Sequence, residues 1–469
     1  MSTPSSPTGP RAWGMLLVLC GAIFLEGADI AMMNVALPSI RADLDLSTAT
    51  LSGVVSAYVL GYGGFMLLGG RAADLLGRRR MFLFWLVVFL VFSGLGGLAT
   101  DGRTLLVARF VTGVSAAFLT PAGLSLITTG FSGERRERAL LIYAGTAAGG
   151  FSLGSVAGGL LTGIGWRWVF FAPVALSLVI LLAAIPLVKD RAPADRPALR
   201  RLDPAGAVSV TLAMLLLVYG VVHLEHPSLT TAGMFAAGLA VLAAFVMIER
   251  RSPAPLVRLG ILRSAQLVRA NLGAGLLTGG FFGFQFLATL YLQELRGWSA
   301  LETGLALLVV SIDAVLAPTL TPRLVRRYGH TRVIFVGFLL ALAAYALFLQ
   351  VGPDTVYAAM LPTMVLIGLA FALAYGPITI AATEDIDERE QGLASGLLNT
   401  AFQFGAAFGV SAVTAVHAAA GSGYAAIRTA LLLPIAAAAL GAVTIATGVR
   451  SRRTAAAPAA DVQEPTTVP

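Results

Sequence analysis

Apolar residues run along this chain for twenty or more positions at a time, and the charged residues gather in short clusters between the runs. A helix of about 20 residues crosses a hydrocarbon core about 30 Å thick. At that length the pattern predicts fourteen crossing helices, near 13–38, 48–70, 81–100, 104–130, 139–163, 168–188, 205–222, 229–248, 270–293, 303–322, 333–351, 355–381, 391–418 and 426–448. The first apolar run, about 25 residues, exceeds the about 7 to 15 of a secretory signal and is predicted to remain as a helix.

Composition fixes the class. With 57% hydrophobic and 12% charged residues, this is an all-α integral membrane protein. The single cysteine, Cys20, excludes an intramolecular disulfide, and no His or Cys cluster has metal-ligand spacing. No glycine-rich phosphate loop with its lysine is present. Neither an enzyme nor a cofactor or metal is therefore expected.

Positive charge gives orientation, because Lys and Arg stay on the cytoplasmic side of short loops. With both termini inside, the inner loops and tails hold 26 of the 32 Lys and Arg residues, the outer loops hold five, and Arg109 lies within a helix. That split supports an even number of crossings. The net charge of +8 then reads as topology beside anionic lipid, with no nucleic acid as partner. The acidic run 384–390 falls in an inner loop, where acids weigh little in topology. The 31 Arg to one Lys and the abundant Ala point to a bacterial, high-GC source. The expected location is the cytoplasmic membrane, with a monomer as the expected state.

No loop is long enough to be a domain. The two longest inner linkers bracket helices seven and eight, which divides the chain into an N-terminal six-helix bundle (1–190), linkers with two inserted helices (191–265), a C-terminal six-helix bundle (266–450) and a disordered tail (451–469). "GRAADLLGRRR" at 70–80 and "TPRLVRRYGHTR" at 321–332 each end the second helix of a half, an internal echo of glycine with a basic cluster.

Gly70, Asp74, Gly77, Arg78 and Arg79 resemble the GxxxDxxGRR loop motif of the major facilitator superfamily. Arg109 and Gly113 resemble its fourth-helix motif, with Thr112 where glutamine is common. Residues 150–159 are similar to the fifth-helix antiporter motif, with Ser155 in place of proline. "NVALP" at 34–38, "WRWVFF" at 166–171 and "ASGLLNTAFQFGAAFGV" at 394–410 resemble the fourteen-helix drug:proton antiporter branch. The resemblance implies two six-helix bundles, plus two extra central helices, rocking about a site near the bilayer midplane. It also implies a cytoplasmic latch from Asp74 and Arg78, for which simple capping of helix ends is the alternative. Gly150, Gly154 and Gly158 recur every fourth residue, as do Ala401, Gly405 and Gly409, and Ala57 with Gly61, giving faces for close helix approach. Such faces serve a static contact or a sliding one. In the family fold the fifth helix meets the tenth across the bundles, and the second meets the thirteenth.

Four ionisable residues lie well inside the spans. Counted from outer helix ends, Arg109 is about 8 Å deep, Asp29 about 12 Å, Asp313 about 16 Å and Glu26 about 17 Å. Glu26 and Asp29, three apart, share a helix face. Charge at such depth is costly and should meet a cavity or a partner. Asp29 is expected to pair with Arg109 and stay ionised. Glu26 and Asp313 are the candidate proton carriers, because a carboxyl that exchanges a proton for a cation is what antiport requires. A purely structural Asp29–Arg109 pair, or an Arg109 that snorkels to the surface, is the alternative. Asn34, Phe284, Gln285 and Gln403 are candidate cavity residues; interhelical hydrogen bonding for the glutamines and lipid contact for the phenylalanine remain open.

The expected function is proton-coupled efflux of hydrophobic, cationic small molecules or drugs, with small molecule, protons and lipid bilayer as partners. An exporter of one metabolite or antibiotic is the rival within transport. A non-transporting receptor or scaffold is the rival from another class.

Overall fold

A computed structural model describes residues 10–46, 48–188, 204–222, 228–252, 255, 259–384, 386, 391–421 and 423–455. Sixteen α-helices are found among them: α1 Pro10–Leu44, α2 Thr48–Leu76, α3 Arg78–Gly97, α4 Gly102–Gly130, α5 Gly133–Ile164, α6 Trp168–Leu187, α7 Pro204–Val222, α8 Leu229–Arg251, α9 Ala265–Leu290, α10 Ala300–Leu307, α11 Asp313–Thr319, α12 Thr321–Tyr328, α13 His330–Phe348, α14 Tyr357–Thr383, α15 Gln391–Ala419 and α16 Tyr424–Ala455. Helix is the form such runs take because lipid offers the backbone no hydrogen-bonding partner, and a helix pairs its N–H and C=O groups internally. No strand occurs among the described residues.

Twelve segments among the described residues are long and apolar enough to cross a membrane. Of the fourteen predicted spans, α2 is outside that set and α7 contributes only the shorter apolar stretch Val208–Leu217. The predicted tenth span is one rod in three pieces, with the 3-10 turn Leu308–Ile312 between α10 and α11. The tail expected at 451–469 begins as helix, since α16 runs to Ala455. Residues 456–469, and the linker residues 189–203, lie outside the described residues.

Helices α1 to α6 pack on one another, chiefly as the pairs α2 with α4, α1 with α5, and α3 with α4 and α6. Helices α9 to α16 form the second bundle, led by α9 with α15 and α16, and α13 with α14 and α16. Helices α7 and α8 pair with each other, and α7 lies along α2. The bundles meet where α5 faces α10 and α11 and where α2 faces α15.

Glycine sets the closest approaches. A Cβ built on Gly154 would sit 2.5 Å from Ala28 Cα, and one on Gly158 2.7 Å from Met32 Cα; Gly150 is pressed in the same way on Phe24. The Gly150, Gly154, Gly158 stripe therefore holds α5 to α1 inside one bundle and does not face the tenth span. Gly405 and Gly409 on α15 meet Gly275 and Gly279 on α9 in the same manner in the other bundle, and Gly61 meets Phe110 and Val114 on α4. The contact with the tenth span uses other glycines of α5. A Cβ on Gly159 would lie 3.1 Å from Leu301 Cα, and Cβ atoms on Gly145 and Gly149 would lie 3.6 and 3.9 Å from Ala314. One residue along a helix is a turn of about 100°, so adjacent glycines serve different neighbours.

The two echoed turns are alike in structure. Gly77, between α2 and α3, has φ 100° and Gly329, between α12 and α13, has φ 79°. Only glycine takes that left-handed backbone freely. Beyond the first turn, Arg79 Nε donates to Val188 O at 2.6 Å and Nη2 to Ile185 O at 2.9 Å, tying α3 to the end of α6.

Candidate functional site: a buried acid pair facing an aromatic wall

Helix α1 carries Glu26 and Asp29 into the N-terminal bundle, where they are 8% and 2% exposed. Close packing on the α5 glycines keeps water from that side. Helix α4 supplies both partners. Arg109 Nη1 donates to Asp29 Oδ2 at 2.5 Å, and Thr120 Oγ1 donates to Glu26 Oε2 at 2.5 Å. Arg109 and Thr120 are eleven residues apart, about three helical turns, which places both on one face of α4.

Helix α2 closes the cluster with two tyrosines one turn apart. The Arg109 guanidinium lies over the Tyr58 ring, 4.4 Å from its centre. The Tyr62 hydroxyl is 3.1 Å from Thr120 Oγ1. Arg109 Nε and the Tyr58 hydroxyl are enclosed with no hydrogen-bond partner among the described residues. Arg109 itself is about as buried as Asp29, so the expected pair forms and snorkelling to the outer surface does not occur.

Asp313 is placed differently. It is the first residue of α11, just after the 3-10 turn that interrupts the tenth span, and it is 6% exposed. The backbone N–H of Ala314 bonds its carboxyl. Among the described residues no Arg, Lys or His forms an ion pair with Asp313.

A chain of stacked rings runs through the C-terminal bundle and ends near the cluster at Tyr375. Phe281 packs on Phe371 at 4.4 Å between centres, Phe371 stacks on Tyr375 at 5.1 Å, and Tyr375 stacks on Phe402 at 4.5 Å, joining α9, α14 and α15. The Tyr375 hydroxyl lies within electrostatic range of Glu26 across the interface. Phe151 of α5 meets Phe282 of α9 edge to face at 5.3 Å, again across the two bundles.

The other sequence candidates scatter. Phe284 is a correction: it is fully buried inside the C-terminal bundle against Tyr345 and Phe348, not on a cavity wall. Its neighbours Phe282, Gln285 and Phe286, turned off that face, are half-buried. Gln285 Oε1 is enclosed without a hydrogen-bond partner among the described residues. Gln403 is half-buried and Asn34 exposed. Gly70 faces Pro121 of α4 in ordinary contact. Arg78 is half-buried, and the Asp74 side chain lies outside the described residues. The sequence reading missed Tyr58, Tyr62, Thr120, Tyr143 and Tyr375. The available signal was two tyrosines four apart in an apolar span and a threonine three turns from Arg109.

A family model described as "Major Facilitator Superfamily" matches residues 19–410. The chain belongs to the major facilitator superfamily. Among its relatives, the puromycin resistance protein pur8 of Streptomyces alboniger is 35% identical over 88% of this chain and 84% of its own length. The lincomycin resistance protein of Streptomyces lincolnensis is 34% identical, covering 86% and 84%. The cephamycin export protein CmcT of Amycolatopsis lactamdurans is 34% identical, covering 87% and 85%. A solved human organic anion transporter, MFSD10, superposes with a TM-score of 0.66 at 15% identity over 93% of this chain and 97% of its own, which speaks to fold alone.

For this major facilitator, the two departures from family pattern have visible local roles. Thr112, at the position where glutamine is common, is buried and donates from Oγ1 to Arg109 O at 3.0 Å. Ser155, in place of proline, donates to Phe151 O at 3.2 Å. The Ser155 carbonyl lies 3.1 Å from a Cβ built on Gly304, part of the contact with α10.

Proposed function

We propose that this transporter exports hydrophobic, cationic small molecules, antibiotics among them, from the bacterial cytoplasm in exchange for protons. The observation that carries the reading is the division of the two acids. Asp29 is consumed by Arg109, whereas Glu26 is held only by hydroxyls and has Tyr375 of the opposite bundle within electrostatic range. A planar or apolar cation lodged against Phe371 and Tyr375 would compete with a proton for the Glu26 charge. Two ligands that compete for one charge, with rocking of the bundles about α5–α10/α11 and α2–α15, constitute antiport. Asp313, at the break in the tenth span, serves as the second proton-carrying candidate.

In this reading residues 1–190 and 266–450 are the rocking halves and 191–265 an insert. The chain crosses the cytoplasmic membrane fourteen times as a monomer, with both termini inside, as the distribution of Arg supports. A narrower version, export of one antibiotic, is favoured by relatives whose names each carry a single compound.

The test is accumulation of ethidium, puromycin and lincomycin in inverted vesicles energised by respiration. A protonophore, and Glu26→Gln separately, should abolish accumulation. Uptake that survives both would exclude proton coupling at Glu26. Uptake of a single antibiotic with none of ethidium would select the narrower version.

A further inference from the structure

Three oxygen atoms surround the Thr120 hydroxyl. Glu26 Oε2 is 2.5 Å away, the Ala116 carbonyl one turn back 3.0 Å, and the Tyr62 hydroxyl 3.1 Å. Thr120 and Tyr62 are 7% and 3% exposed, so water does not substitute freely for any of the three. A hydroxyl has one hydrogen to give and two lone pairs to receive with. Thr120 therefore cannot fully satisfy both acceptors at once.

We propose that Thr120 is a proton-responsive positioning residue for Glu26, whose single hydroxyl hydrogen turns from the Glu26 carboxylate to the Ala116 carbonyl when Glu26 takes up a proton. The inference rests on the proton-carrying role given to Glu26 above. With Glu26 ionised, the carboxylate is an acceptor only; Thr120 donates to it and Tyr62 donates to Thr120. When a water in the pathway delivers a proton, an O–H bond forms on Glu26 and the charge there falls from −1 to 0. Glu26 now donates to Thr120 Oγ1, Tyr62 still donates to its other lone pair, and the Thr120 hydrogen turns to Ala116 O. Release runs the same steps backward, returning the proton to water.

No heavy atom has to move, and the Tyr62 hydroxyl, the Thr120 hydroxyl and Glu26 Oε2 each keep a partner in both states. That matters because an unmet buried polar group would oppose one of the two states. The Ala116 carbonyl is not orphaned in the ionised state, because it also accepts the helical N–H of Thr120.

The other groups facing Glu26 do not duplicate this arrangement. Cys20 and Asp29 share its helix, and Asp29 is bound to Arg109 of α4. Helix α2 presents Tyr58 and Tyr62, α5 presents Tyr143 and α14 presents Tyr375. Helix α6, also packed on α1, has no titratable residue. Tyr62 also reaches the carboxyl and lies 3.1 Å from Thr120 Oγ1, but among these groups only Thr120 also has a backbone carbonyl, that of Ala116, to turn to.

The experiment is an infrared titration of full-length protein in proteoliposomes, following the carbonyl band of protonated Glu26, assigned by its loss in Glu26→Gln. Thr120→Val keeps shape and removes the hydroxyl. Its midpoint should move to alkaline pH by about one unit, tenfold in proton activity, because a hydrogen bond to a charged acceptor is stronger than one to a neutral one. Thr120→Ser should restore most of that shift, and Tyr62→Phe should give a smaller one in the same direction. A wild-type midpoint in Thr120→Val, or a Thr120→Ser that behaves like the valine variant, would overturn the proposal. Ethidium efflux measured alongside separates the two readings: coupled efflux in Glu26→Gln defeats the antiport role of Glu26, while the band midpoint still decides the role of Thr120.

Discussion

The Asp29–Arg109 pair offers the sharpest test of how this bundle is held together. Both side chains are almost fully enclosed, with 2% of Asp29 and 3% of Arg109 accessible. Removing one partner of such a pair leaves an uncompensated buried charge, which costs about 3–5 kcal/mol. Arg109→Leu should therefore destabilise the N-terminal bundle by that amount plus the ring contact with Tyr58, a further 1–2 kcal/mol or so for a desolvated cation over an aromatic face. Asp29→Asn keeps the shape and an acceptor oxygen, so it should fall at the low end, about 3 kcal/mol. Asp29→Leu and Arg109→Leu, made singly and together, close a double-mutant cycle; with both charges gone the double variant should lose about 2–3 kcal/mol less than the sum of those two single losses. The assay is unfolding of purified protein by SDS titration in mixed micelles, with helix content as the signal. Single losses under about 1 kcal/mol, or a coupling energy indistinguishable from zero, would refute a buried, mutually dependent pair.

Phe284→Ala should cost about 3–5 kcal/mol of stability while leaving the spectrum of exported compounds unchanged, because the ring fills the C-terminal core; Tyr375→Ala should do the reverse, and drug-resistance panels read both. Gly154→Ala places a methyl 2.5 Å from Ala28 Cα and should lower stability by about 1–3 kcal/mol in the same SDS titration. Gly149→Ala has its Cβ at ordinary contact, 3.9 Å from Ala314, so the protein should fold as the wild type does; a bulkier Gly149→Leu should fold but slow efflux in inverted vesicles. Asp43, beyond the first span, accepts from Trp166 Nε1 at 2.9 Å and from Arg167 Nη1 at 2.8 Å, and these hydrogen bonds hold its carboxyl below the usual range. A depressed folded value means the contribution is fully present above the unfolded value of about 3.9 and disappears as pH falls through the folded value. Melting curves of wild type and Asp43→Asn should thus differ at pH 6 or so and converge toward strong acid.

Most of the scaffold is legible in the sequence because lipid leaves an apolar chain few choices. Run length predicts the helices, and the echo of 70–80 in 321–332 has its counterpart in matching turns at Gly77 and Gly329. The site is legible only where charge marks it. Asp29 and Arg109 stand out as isolated charges at compatible depth, and their pairing follows. Phe284 could not be separated from Phe282 by type or spacing, because helix rotation decides which ring meets α13 and which meets α5. The α5 glycines fail for the same reason: the every-fourth stripe was visible, but not that it turns toward α1 while Gly145, Gly149 and Gly159 turn toward the other bundle. Thr120 and the tyrosines are neutral, so charge does not mark them, and only their spacing within apolar spans could have.

Why two acids should sit three residues apart in one helix follows from what α4 offers them. Along α1 they are separated by about 4.5 Å of rise, whereas Arg109 and Thr120 are separated by about 16 Å along α4. A long guanidinium stem reaching inward closes much of that gap, and a short threonine hydroxyl meets Glu26 where it stands. One acid is thereby neutralised by a fixed charge and pins α1 to α4. The other is met only by hydrogen-bond donors, which stabilise a carboxylate without committing it. A fixed charge at both positions would leave nothing to titrate, and hydroxyls at both would leave two like charges within a turn of each other in a medium that screens them poorly. The mixed arrangement avoids both outcomes; if Glu26 carries the proton as proposed, an arginine introduced at Thr120 should hold Glu26 ionised and abolish protonophore-sensitive ethidium uptake in inverted vesicles while the α1–α4 contact persists.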